Sequence, residues 1–156
     1  MEADGVHWLV KMLGSDTECA IAAADALRSL CSGSIEVACE IQRHEGVEKL
    51  VKLFQVVSGL NGASGCSDHG VEIAAEALGT LAQADQSSHQ HMAEAGAVQS
   101  FVRALTAGKP KVGESGKPLA SAAREQTVRT LSQLATNETC GAILLQHDGI
   151  VGTLTE

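Results

Sequence analysis

Cysteine and histidine are the side chains here best equipped to bind metal or act as nucleophiles, and the chain carries five of the first and six of the second. Cys66 and His69 have the spacing of half a zinc site, but they fall in a Gly/Ser-rich stretch and no matching second pair exists. His89 and His91 are two apart. On a helix they point about 200° from each other and cannot share an ion, so both are expected to be solvated helix-end residues. Cys19, Cys31, Cys39, Cys66 and Cys140 are odd in number and scattered, which speaks against a disulfide framework and for a reducing compartment, the cytoplasm or the nucleus. Gly113-Glu-Ser-Gly-Lys117 superficially resembles a phosphate-binding loop. Lys111 stands where that motif needs its first Gly, and Pro118 follows the lysine in place of Ser or Thr, so the motif is rejected. No Ser/His/Asp, Cys/His or paired-carboxylate arrangement stands out, and no catalytic, cofactor-binding or metal-ligating residue is assigned.

The elements that would position any site are helices. Of 156 residues 44% are hydrophobic, yet there are only one Trp, two Phe and no Tyr, so the core must be aliphatic. Abundant Ala and Leu with two prolines favour an all-α chain, and alternating β-branched runs are lacking. Nineteen acidic against eleven basic residues give a charge of -8, which excludes a nucleic-acid surface, since neutralising phosphates requires Lys and Arg. No uncharged stretch reaches the ~20 apolar residues of a membrane span, and residues 1–11 lack the pattern of a signal peptide, so no membrane association is expected.

Self-comparison exposes an internal repeat. Gly5-Val-His-Trp-Leu-Val-Lys-Met-Leu13 matches Gly46-Val-Glu-Lys-Leu-Val-Lys-Leu-Phe54 at every apolar position, a third copy runs from Ala97 to Leu105, and a fourth begins at Ile150. A second motif, Ala24-Asp-Ala-Leu-Arg-Ser-Leu30, returns as Ala75-Glu-Ala-Leu-Gly-Thr-Leu81 and more weakly as Val128-Arg-Thr-Leu-Ser-Gln-Leu134. The register is constant: Leu30 to Val47, Leu81 to Val98 and Leu134 to Val151 are each 17 residues, with Ile41, Met92 and Leu145 at one shared offset between them. Each unit therefore reads as three helices. Val6, Leu9, Val10 and Leu13 mark one apolar face; a longer helix follows over 17–31, with Ser15-Asp-Thr-Glu18 as a capping box and equivalents near 70–83 and 119–135. A short third helix carries Ile35, Ala38 and Ile41 and ends at a glycine, so Gly46, Gly96 and Gly149 are expected in turns with positive φ. Leu30 and Leu81 are expected in the core, where a charge would unfold the stack, and Asp25 on the surface.

These motifs, with Glu94-Ala-Gly-Ala-Val98 closing a unit, resemble the armadillo repeat family over almost the whole chain; HEAT repeats are the nearest rival. The resemblance implies a right-handed α-solenoid with approximate repeats 1–45, 46–95 and 96–148 and a partial repeat 149–156. It also implies a non-catalytic scaffold without cofactor, binding a protein or extended peptide along a groove. That groove is lined by the third helices of the family's unit, which correspond here to the long helices, the short ones being connecting helices. In the nuclear-import branch of that family the groove carries a Trp and Asn ladder. The matching positions here hold Asp25 and Ser29, Glu76 and Thr80, Arg129 and Gln133, so classical import-signal binding is not implied, and these six residues are the candidate protein-binding groove.

Two Gly/Ser-rich insertions, 58–68 and 106–118, lengthen the second and third units and fit tolerated loop length. Between Lys52 and Arg103 there is no Lys or Arg, but Asp68, Glu72, Glu76, Asp85 and Glu94 are present, which points to a partner with a basic segment over the middle unit. Both ends resemble interrupted units. Flanking repeats or self-association would cover them, and Trp8, Val151 and Leu154 are expected to be exposed in a monomer. A regulatory or structural subunit of a larger enzyme or transport assembly, or a helical enzyme completed by another chain, is the alternative function.

Overall fold

A computed structural model describes residues 2–59, 68–107 and 121–146. Among these residues there are nine helices and no strand: α1 (Glu2–Met12), α2 (Thr17–Cys31), α3 (Ile35–Arg43), α4 (Gly46–Val57), α5 (Asp68–Ala84), α6 (Ser87–Glu94), α7 (Ala97–Ala107), α8 (Ser121–Ala135) and α9 (Glu138–Gln146). The three-helix period and the 17–31 helix agree with the repeat register. Most of the two insertions, and all of residues 147–156 with Gly149, Val151 and Leu154, lie outside the described residues.

The long helices α2, α5 and α8 form one layer, with α5 packed between the other two. Behind them α4 packs against α5, α6 and α7, and α9 against α6, α7 and α8. One buried cluster runs through all of this. Its bulkiest members are Phe54 and Phe101, the only two phenylalanines, which meet edge to face at 4.7 Å between centroids and 88° between planes. A chain so poor in aromatics has placed both in the joint between α4 and α7.

Local signals differ from the sequence expectations in instructive ways. The cap of α2 is Asp16, whose side chain accepts from Cys19 N at 3.2 Å, while Ser15 Oγ donates instead to Met12 O; the capping box does not form. Gly96 adopts the expected positive φ of 83°, but at the equivalent junction the left-handed residue is Glu45, with φ 60°. Gly46 is needed for another reason. A Cβ there would stand 2.4 Å from Ile41 Cγ2 and 2.7 Å from Ile41 O, so the start of α4 sits directly on the end of α3. Glu45→Gly is expected to raise stability by about 0.5–1 kcal/mol, and Gly46→Ala to lower it by about 1–3 kcal/mol. Urea midpoints of the two variants check both signs.

Leu30, expected in the core, is outside, and so are two other apolar positions of the repeat, Leu145 and Ile35. Leu30 is 48% exposed, whereas its counterpart Leu81 is buried on α5, which has a long helix on both sides, and Leu134 is buried on α8, which packs against α5, α7 and α9. Leu145 is 81% exposed although its counterparts Ile41 and Met92 are fully buried. Those two are followed by α4 and α7, and the segment following Leu145 lies outside the described residues. Ile35 is 62% exposed, since six residues of helix rotate it about 120° away from Ile41. Trp8 is exposed as expected, at 60%.

His89 also departs from expectation. It is buried at the start of α6, with Nε2 2.9 Å from Ala82 O, so the ring N–H donates to the last turn of α5; only His91 is exposed. Nearby, Cys140 Sγ reaches His89 O at 3.4 Å. Cys19, Cys31, Cys39 and Cys140 are free thiols, and burial pushes Cys31 up to about 11 and Cys140 upward, which makes both poor nucleophiles. No described helix is long and apolar enough to cross a membrane.

Candidate protein-interaction face

The repeat register puts Asp25, Glu76 and Arg129 at one position of the long helices and Ser29, Thr80 and Gln133 at another, four residues on and therefore on the same side of each helix. Of these helices, α5 packs against both α2 and α8.

What the side chains do is less uniform. Arg28 joins the first two layers: its Nε donates to Asp25 Oδ1 at 2.9 Å and its Nη1 to Glu76 Oε1 at 3.0 Å. Hydrogen bonding to Asp25, with the charge of Glu76 added, raises the Arg28 pKa above its ordinary value even though burial opposes this. The two carboxylates expected to attract a basic partner thus already share a cation of their own. All three side chains keep about a third to a half of their surface in water, so the pairs are worth little individually, and the outward field is of mixed sign.

The hydroxyls point back at their own helices. Ser29 Oγ donates to Asp25 O at 3.0 Å and Thr80 Oγ1 to Glu76 O at 2.8 Å, so each hydroxyl proton is taken up within its own helix. Arg129 pairs with Glu125 one turn earlier, at 3.1 Å, on an open surface.

Gln133 is not offered to a partner in the same way. Its Oε1 is buried without a hydrogen-bond partner and lies 3.2 Å from where a Cβ on Gly79 would be. The side chain has filled the notch that Gly79 leaves in α5. Thr130 closes the same seam, its Oγ1 lying 2.9 Å from Ala75 O and 3.0 Å from its own Gln126 O. The structure therefore brings Asp25 and Glu76 together through Arg28, leaves Ser29 and Thr80 as surface hydroxyls, and turns Gln133 into the packing.

The acidic middle unit is likewise divided. Glu76 belongs to this face. Asp85 instead ties the α5–α6 turn to α3, accepting from Ser87 N at 3.0 Å, from Ser87 Oγ, and from Gln42 Nε2 at 3.2 Å; the Ser87 hydroxyl is the main reason its carboxyl is held below the usual range. Glu94 lines a separate recess of about 250 Å³ with Gln42, Glu45, Val47, Glu48 and His91. These carboxylates do not form one patch.

Arg28 is a residue of this face that its place in the repeat does not single out. Its signal was the three-residue spacing from Asp25, visible in the sequence, whereas the 48-residue link to Glu76 required the layers to be stacked. Cys66 lies outside the described residues, and His69 is exposed in the first turn of α5. Among the described residues no three His, Cys, Asp or Glu side chains gather where they could hold a metal ion. No family model matches the chain, and no curated protein and no solved structure matches it.

Proposed function

We propose that the chain is an armadillo-like α-solenoid segment that works without catalysis, by binding a protein or an extended peptide across α2, α5 and α8. The observation that carries this reading is the packing of three long helices, one from each repeat unit of the sequence, with α5 between α2 and α8. Layers that bury their apolar sides against one another leave a continuous polar surface, and such a surface suits a partner lying across the layers. The pairing of Arg28 with Asp25 and Glu76 favours a partner of mixed polarity over a purely basic one.

Ser29 and Thr80 supply the test, because Ser29 is exposed, Thr80 is half-buried, and neither belongs to the buried core. Ser29→Arg with Thr80→Arg places two bulky cations on the face, and stability is expected to stay within about 0.5 kcal/mol per site. Proteins captured from the native source by the wild-type chain should be lost with the double variant. An unchanged set of captured proteins, with the variant folded by circular dichroism, would remove this face from the binding surface.

A further inference from the structure

Histidines separated by 37 residues meet at the junction of α1 and α3. The Nδ1 atoms of His7 and His44 are 3.3 Å apart, with ring centroids at 4.7 Å and planes inclined by 62°. The far nitrogen of His44, Nε2, is 3.0 Å from Glu40 Oε1, and Glu40 is held in turn by Arg43 at 3.2 Å through its other oxygen. An ionised carboxylate only accepts, so Nε2 carries the proton, and in the neutral ring the His44 Nδ1 is left as a bare lone pair. That is the arrangement in which a carboxylate orients a metal-binding imidazole.

The separation of the two Nδ1 atoms points the same way. With the His44 proton on Nε2 it is a long hydrogen bond, His7 Nδ1–H donating to the His44 lone pair, and an ion that takes both nitrogens replaces that His7 proton. Two Zn–N bonds of about 2.0–2.1 Å at the tetrahedral angle place their nitrogens about 3.3–3.4 Å apart. We infer that His7 and His44 form a two-nitrogen site for a divalent transition-metal ion of the kind that prefers imidazole, such as Cu(II) or Zn(II), with Glu40 fixing the orientation of His44.

No third His, Cys, Asp or Glu joins them among the described residues, so the other coordination positions fall to water or to a donor from another molecule. The adjoining recess of about 340 Å³, lined by His7, Val10, Lys11, His44 and Lys49, has room for such a donor. The two lysines weaken the attraction for a bare cation and favour an anionic donor, for instance a carboxylate, on the bound ion. Lys11 itself leans over the Trp8 ring, 4.9 Å from its centroid.

Trp8 provides the readout: it is the only tryptophan, and its ring centroid is 6.4 Å from that of His7. Cu(II), a paramagnetic ion that quenches indole emission at short range, is titrated into the full chain in a non-coordinating buffer. Quenching is expected to saturate at one ion per chain. His7→Ala and His44→Ala should each weaken it at least tenfold, Glu40→Ala about tenfold, and His91→Ala, at an exposed position of α6, not at all. Thermal melts confirm that each variant is folded. Non-saturating quenching, or an affinity unchanged in His7→Ala and His44→Ala, overturns the site, as does an equal loss in His91→Ala.

Discussion

Leu81→Asp is expected to cost more than about 4 kcal/mol and to leave the chain largely unfolded, while Leu30→Asp changes stability by less than about 1 kcal/mol. The two leucines occupy the same place in the repeat, and the repeat alone assigns them equal weight. The structure separates them. Leu81 is 1% exposed on α5, the long helix with neighbours on both sides, and an aspartate there would be shut off from water. Leu30 stands half in solvent near the end of α2, where a carboxylate stays hydrated. Urea denaturation followed by helical circular dichroism measures both. Equal losses at the two positions would mean that the outer side of α2 is covered in solution.

Phe54→Ala and Phe101→Ala are each expected to lower stability by about 3–5 kcal/mol. Both rings are fully buried, and their edge-to-face contact joins α4 to α7, so either truncation opens a cavity at a junction between successive units. The double variant should lose less than the sum of the two singles, by about 0.5–1.5 kcal/mol, because the aromatic contact disappears only once. Additive losses in the same denaturation experiment would show that the rings contribute by burial alone. Phe101→Leu keeps most of the volume and should cost clearly less than Phe101→Ala.

Much of the helical framework was legible because apolar spacing within one helix is a local property. The long helix over 17–31 has those bounds in the structure, and its equivalents near 70–83 and 119–135 correspond to α5 and α8. What the spacing could not convey depended on neighbours. Leu30 and Leu145 satisfy the pattern, but burial also needs something on the other side. His89 looked solvated from its polar surroundings, yet the α5–α6 turn folds it onto Ala82 O. Gly46 resembled a positive-φ terminator, whereas the turn is made by Glu45 and the glycine serves close contact with Ile41. The candidate face was legible as a row of positions but not as a set of charges. Glu76 and Arg28, and likewise His7 and His44, become partners only when helices distant in sequence are set side by side.

The seam between α5 and α8 and the link between α2 and α5 differ in mechanical character. Thr130 reaches a main-chain oxygen of the next helix through one short bond, and Gly79 admits Gln133 at close range, so these contacts work only at a single spacing. Arg28 spans its gap with a long flexible arm and can keep both carboxylates while the gap widens or narrows. The polar links along the long helices are therefore of two kinds, short and fixed at α5–α8 and long-armed at α2–α5. Toward the start of α5, however, the spacing to α2 is set by Gly70, where a Cβ would stand 2.9 Å from Ile21 Cδ1.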